Sequence, residues 1–159
     1  MTQTQQIAKH LRDVYFGGNW TTVNYRTQLT DVNWQQATEQ VHGFNSIATL
    51  VHHTHYYIAV QRGVLLGGPL VGKDSESFEH PPISSESDWQ DMLENVWKDV
   101  EEFAQLIEQM PDDKLMEPFT DIKYGNYFRN MHGMIEHLHY HLGQIVLIKK
   151  MILDYGHNK

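Results

Sequence analysis

Trp89, Leu93, Val96, Val100, Phe103, Ile107 and Met110 recur at alternating intervals of four and three residues. That spacing dictates an α-helix, because only a repeat near 3.6 residues gathers all seven side chains into one stripe. The intervening positions are rich in Glu, Asp, Gln and Lys, so the helix buries one side and wets the others. Ser85, followed three residues later by Asp88, predicts a capping box at its start, and Pro111 predicts its end. A one-sided helix needs partners of the same kind.

Three more segments supply them. Ile7, Leu11 and Val14 predict a first helix over 5–16, stopped by Gly17-Gly18. A polar connection and a short helical piece at 33–41 lead to Gly43 and a long second helix over 44–66, closed by Gly67-Gly68-Pro69. A last helix is predicted over 126–154, after a loop with Pro118 and Gly125. Residues 69–84 hold three of the five prolines and no period, which predicts a long crossover loop between the second and third of the four long helices. The fold class that follows is all-α: a four-helix bundle forming one domain over 1–159, without internal repeats.

Composition narrows the function. With 20 acidic against 12 basic residues the formal charge is −8, and no basic face is left to displace counterions from nucleic acid. There is no cysteine, which excludes disulfides, thiolate zinc sites, iron–sulfur clusters and a Cys nucleophile. The start, Met1 to Gln6, has neither the basic nor the apolar region of a signal peptide, and the stretch 44–66 is too polar to span a bilayer. The expectation is a soluble cytoplasmic protein that engages neither membrane nor nucleic acid. Trp20, Trp34, Trp89 and Trp97 are expected to be packing residues, and Asp99-Val100-Glu101-Glu102 a solvated helix face. Lys149-Lys150 suit the helix dipole near the end of the last helix and need no ligand.

The second helix is unusual, for no Asp, Glu, Lys or Arg occurs between Glu39 and Arg62. A helix without charge on any face is normally covered all round. It either sits centrally in the bundle or forms a subunit interface, and a homodimer through it is the expectation.

Eleven histidines are many for 159 residues. On the last helix, His137 and His141 are about 40° apart on the wheel and share the side of Met134, Ile145, Ile148 and Ile152. His139 and His132 fall on the opposite, solvent or interface side. An inward pair of histidines one turn apart is the geometry a divalent metal takes from one helix, and both rings need partners in a dry core. The second helix offers His52, His53 and His55 as further ligands, and its all-round apolar character leaves the choice among them open. A di-iron carboxylate site is disfavoured: Glu39-Gln40-Val41-His42 abuts a glycine break, and Glu136 and His139 point away from the apolar stripe. The HExxH motif is also missing, since Leu138 follows His137.

The run Ile135-Glu136-His137-Leu138-His139-Tyr140-His141-Leu142-Gly143-Gln144-Ile145 resembles the closing motif of the DinB/YfiT-like metalloenzyme superfamily. The stretch Ile47 to Tyr57, with Val51-His52-His53-Thr54-His55 at its centre, resembles that family's second-helix motif. Gly67-Gly68-Pro69-Leu70 and Tyr124-Gly125-Asn126-Tyr127 extend the likeness over most of the chain. The resemblance implies an up-up-down-down four-helix bundle, commonly homodimeric, with one divalent metal on three histidines. Matched position by position, it implies His53, His137 and His141 as the ligands, although His52 and His55 depart from the family's usual neighbours of His53.

Three neutral imidazoles would leave a metal such as Zn, Ni or Mn its full charge and an open position. The resemblance then suggests a metal-dependent thiol S-transferase or hydrolase acting on a small molecule, with any low-molecular-weight thiol arriving as cosubstrate. The alternative is a non-enzymatic dimeric bundle that binds metal or a partner, favoured by the absence of an evident general acid or base. Glu136 and Tyr140 lie near the ligands in sequence but off their face. Gln144 lies on that face, one turn beyond His141, placed either to meet substrate or to support a ligand.

Overall fold

The computed structural model describes the backbone of residues 1–157 and the side chains of 1–154; Asn158, Lys159 and the side chain of His157 lie outside the described residues. The chain is all-helical, with α1 (Gln3–Phe16), α2 (Tyr25–Leu29), α3 (Trp34–Thr38), α4 (Ile47–Leu65), α5 (Glu86–Gln109) and α6 (Tyr127–His157). Among the described residues there is no β-strand, only an isolated bridge between Pro118 and Asn126. The four long helices close a ring: α1 packs on α5, α5 on α4, α4 on α6, and α6 on α1. Among the described residues no helix is long and apolar enough to cross a membrane.

The stripe of α5 is the clearest link from sequence to packing. All seven of its members are buried, with Trp89, Val100 and Phe103 fully enclosed. Ser85 caps α5 by accepting from the Asp88 N–H at 3.1 Å. The expected capping box is only half formed, because the Asp88 carboxylate instead takes the N–H and Oγ–H of Ser84, each at 2.9 Å. The acidic stretch is only partly a solvated face, for its carboxylates are also paired. Asp99 pairs with His55 at 2.9 Å and with Arg62 at 3.0 Å, Glu101 pairs with Arg12 at 2.9 Å, and Glu102 meets Arg62, so these carboxylates tie α5 to both α4 and α1.

The charge-free helix is central. From Ser46 to Leu65 not one residue is exposed, and α5, α6, α3 and the crossover all pack on it. Its own chain accounts for part of that cover, since eight of its nineteen residues are buried and the rest only partly exposed. Two other expectations are corrected here. Trp20 is fully exposed at a turn, whereas Trp34, Trp89 and Trp97 do pack in or against the core. Lys149 does find partners, donating to the Gln28 carbonyl at 2.8 Å and to Asp31 at 2.5 Å.

The polar connection after α1 contains a helix that the sequence does not announce. Five residues, Tyr25–Leu29, are too short to show a period. Tyr25 is nonetheless fully buried, stacks on Tyr15 at 4.6 Å, and donates its hydroxyl to the Leu138 carbonyl at 3.1 Å. The crossover is not wholly irregular either, for Asp74–Phe78 forms a 3-10 helix laid against α4.

Candidate metal centre

Periodicity places His137 and His141 on the inner side of α6, one turn apart, with ring centroids 4.5 Å from each other. His53 enters from α4, its centroid 4.9 Å from His137 and 4.7 Å from His141. One ring nitrogen from each of the three lies within 4.8 Å of the other two, the only such His, Asp or Glu group among the described residues. The closest approach is between His53 Nε2 and His137 Nε2, at 3.0 Å.

The surrounding hydrogen bonds decide which nitrogen two of the three rings present. Ser77 Oγ must donate to the Asp74 carbonyl, 2.6 Å away, because a carbonyl can only accept. The same oxygen therefore accepts from His53 Nδ1–H at 2.8 Å, and the lone pair of neutral His53 is left on Nε2. On α6, Gln144 Oε1 accepts from His141 Nδ1–H at 2.7 Å, which leaves Nε2 of His141 free in the same way. Gln144 thus bonds His141 itself.

The rings are also held neutral. Burial, then the proximity of His141, pushes His53 down to about 4. Burial with the same neighbour, followed by His53, brings His137 to about 4. His141 is likewise lowered by burial, opposed by its bond to Gln144. Lone-pair nitrogens are what a metal requires of histidine.

This donor set fits a divalent cation. Two nitrogens held at the usual distance from a tetrahedral zinc ion stand about 3.3 Å apart, close to the separation of the His53–His137 pair. Without a cation that approach needs one of the two Nε2 atoms to carry a proton and donate it, so a proton stands where a metal would bind.

The crossover builds the rest of the wall, and none of its contributions was visible in the sequence. Phe78 stacks on the face of His53, with centroids 4.1 Å apart and planes 19° from parallel. Tyr57 sets its ring edge-on to His53 and His137, at 5.2 and 5.4 Å, and donates its hydroxyl to Asp74 at 2.8 Å. An open cavity of about 280 Å³ lies beside the histidines, lined by Tyr57, Gln61, Asp74, Met134 and His137 among others. Gln61 keeps its Oε1 buried without a hydrogen-bond partner. The adjacent tyrosines of the charge-free helix and the acidic turn that follows were the one available signal, and they have no fixed spacing to read.

A family model for the DinB superfamily matches residues 18–145. The chain belongs to the DinB superfamily. The match takes in α4, the crossover and α6 as far as Ile145, and so all three clustered histidines. No curated protein and no solved structure gives a significant match to this DinB-superfamily chain.

The other histidines fall outside the cluster. His55 donates from Nε2 to Asp99 at 2.9 Å and belongs to the α4–α5 ion-pair strip. His52 lies near Tyr56 and His80, with ring centroids at 6.5 and 6.1 Å. His42 stands in the turn between α3 and α4, with φ of 50°. His139, expected on a solvent or interface side, is half-buried and lines a separate cavity with Lys9, His10, Asp13 and Trp20. Glu136 is exposed, as its position off the ligand face implied. Tyr140 is nearer than expected, its exposed ring standing edge-on to His141 at 4.9 Å.

Proposed function

We propose that this protein holds one divalent cation, Zn, Ni or Mn, on the Nε2 atoms of His53, His137 and His141, and acts on a small molecule as a hydrolase or thiol S-transferase. The observation that carries this reading is the tautomer control: Ser77 and Gln144 leave the lone pairs of His53 and His141 on the nitrogens that face the cluster. Buried structural histidines also need their N–H groups bonded, but here the bonds turn the lone pairs of rings from two helices toward one point. Second partners of this kind are regular companions of metal-binding imidazoles. In this reading the four long helices run up-up-down-down, as the family resemblance implies.

A cation bound there supplies Lewis acidity, which brings the proton of a water or thiol within reach of neutral pH. The chain's own groups do the rest. The cavity beside His137 admits a small molecule. Gln61 Oε1, buried without a partner, offers an acceptor for an N–H or O–H of the substrate. Asp74 is the carboxylate of the cavity, oriented by the Tyr57 hydroxyl, and is placed to take a proton from the attacking group. Phe78 and Tyr57 shield the histidines from water. Asp74 and Tyr57 at the cavity are the groups that support an enzymatic reading over the alternative of a non-enzymatic metal- or partner-binding bundle.

The test is hydrolysis of activated esters and amides, and transfer of low-molecular-weight thiols, measured with and without Zn²⁺, Ni²⁺ or Mn²⁺. Activity should require both the metal and His137, and should fall in Asp74→Asn. Activity that persists in His137→Ala without added metal would refute the proposal.

A further inference from the structure

A separate cavity of about 340 Å³ opens between α1, the turn that follows it and α6. Lys9, His10 and Asp13 line it from α1, Trp20 from the turn, and Ile135 and His139 from α6. Trp20 is fully exposed there, although a ring of that size is normally buried for the most part. The turn that carries it is braced. Asn19 donates from Nδ2 to the Asp13 carbonyl at 2.7 Å and to the Val23 carbonyl at 2.8 Å, and its Oδ1 accepts from the Thr21 N–H at 2.9 Å. Gly18 has φ of 107°, and a Cβ on it would meet Asp13 Oδ1 at 3.0 Å, so only glycine lets the turn close beside that carboxylate.

The polar groups of this cavity are under-used. Lys9 Nζ donates once, to Asp13 Oδ2 at 2.5 Å, and keeps two further N–H groups. Asp13 Oδ1 accepts no hydrogen bond among the described residues, although its side chain is only 13% exposed. The ring nitrogens of His10 and His139 and the indole N–H of Trp20 likewise meet no protein partner among the described residues. Half-buried groups of this kind gain when something bonds them. Lys9 and Asp13 cancel, so with its histidines neutral the cavity favours neither an anion nor a cation. What the pair presents is a donor beside a free acceptor. The complement is a C=O beside an N–H on one edge of a molecule. An open-chain amide is trans and points these groups to opposite sides, whereas a ring lactam holds them side by side. A flat aromatic ring also suits the open face of Trp20.

We propose that this cavity binds a neutral heteroaromatic lactam of the guanine type, its ring stacked on Trp20 and its C=O and N–H bonded to Lys9 Nζ and Asp13 Oδ1. The ligand is a free base or nucleoside, because the one ammonium here is already paired and the chain's charge of −8 repels a phosphate backbone. The site shares no ligand with the histidine cluster. His139 lies about 160° around α6 from His137 and from His141, so occupancy here does not depend on the metal reading.

Isothermal titration calorimetry of the full chain with guanosine tests this. Guanosine should bind one molecule per chain with a dissociation constant below about 1 mM. O6-methylguanosine keeps the ring and loses the lactam, and adenosine reverses donor and acceptor; each should bind about tenfold more weakly or worse. Guanosine 5′-monophosphate should bind no more tightly than guanosine, because Lys9 is already paired. Trp20→Ala and Asp13→Asn should each weaken guanosine about tenfold, while keeping the helical circular dichroism and the metal content of wild type. No binding of guanosine at millimolar concentration overturns the proposal. Equal binding of O6-methylguanosine, or guanosine binding indifferent to Trp20→Ala, overturns it as well. A monophosphate that binds more tightly than the nucleoside would mark an anion site and overturn it too.

Discussion

The third long helix and the crossover that leads into it are neighbours in the chain and opposites in design. α5 carries a seven-member stripe of buried residues and contributes no side chain to the histidine cluster. The crossover carries no period, yet its short 3-10 helix bonds His53 through Ser77, stacks Phe78 on it and bonds Tyr57 through Asp74. Periodicity records how an element is buried, because burial repeats with the turn of the helix. Support of a reactive group depends on one side chain arriving at one place, and that leaves no repeat. The two segments should therefore respond differently to damage: α5 in stability, the crossover in metal affinity.

The largest effect is expected from Phe103→Ala on α5. Phe103 is fully enclosed, and truncation should cost about 3–5 kcal/mol in urea unfolding. The same variant, assayed below its unfolding transition, should bind metal as wild type does; a loss of affinity matching the loss of stability would break the distinction. Ser77→Ala in the crossover should do the reverse, lowering metal affinity by about 10–100-fold in competition titrations while unfolding close to wild type. Retained affinity in Ser77→Ala would mean that the hydrogen bond to His53 does not choose its tautomer.

Acid should act on the site and spare α5. His53 and His137 are lowered to about 4 in the folded chain, mainly by burial. An unfolded histidine titrates near 6.5, so between about 6.5 and 4 the unfolded state binds more protons than the folded one. Stability of the metal-free protein should accordingly decline as pH falls through that window and change less below it, as thermal melts at several pH values would show. The cost of Phe103→Ala, which involves no titrating group, should be the same at pH 7 and pH 5. The smallest effect belongs to His55→Ala. It removes a partly buried pair with Asp99 and should cost about 1 kcal/mol or less, leaving metal binding intact.

These contrasts also mark how far the sequence could be read. The extent of α5, the start of α6 and the inward pair His137 and His141 all follow from local sequence, since each depends on neighbours within one or two turns. Spacing leaves Gln144 between two roles and ends the last helix at Asp154, short of His157. The choice of His53 over His52 and His55 does not follow locally, because α4 carries no charge before Arg62 to mark an outer face on its wheel. What separates the three is supplied by other elements: Asp99 from α5 takes His55, and Ser77 and Phe78 from the crossover take His53. The family resemblance reached the same residue by position. The dual use of the acidic stretch 99–102 was hidden for a related reason, since the arginines that bind it lie on α1 and α4. Trp20 shows the converse, an aromatic that composition assigns to packing and that the turn after α1 leaves in solvent.

The central claim is that His53, His137 and His141 together hold a single metal ion. Elemental analysis of untagged protein, reconstituted with Zn²⁺, Ni²⁺ or Mn²⁺ and freed of excess, tests it most directly when repeated on each histidine variant. One metal per chain is expected in wild type, His52→Ala and His55→Ala, and substantially less than one in His53→Ala, His137→Ala and His141→Ala. A wild type that retains no metal after reconstitution, or a site that survives His53→Ala but is lost in His52→Ala or His55→Ala, would contradict the account.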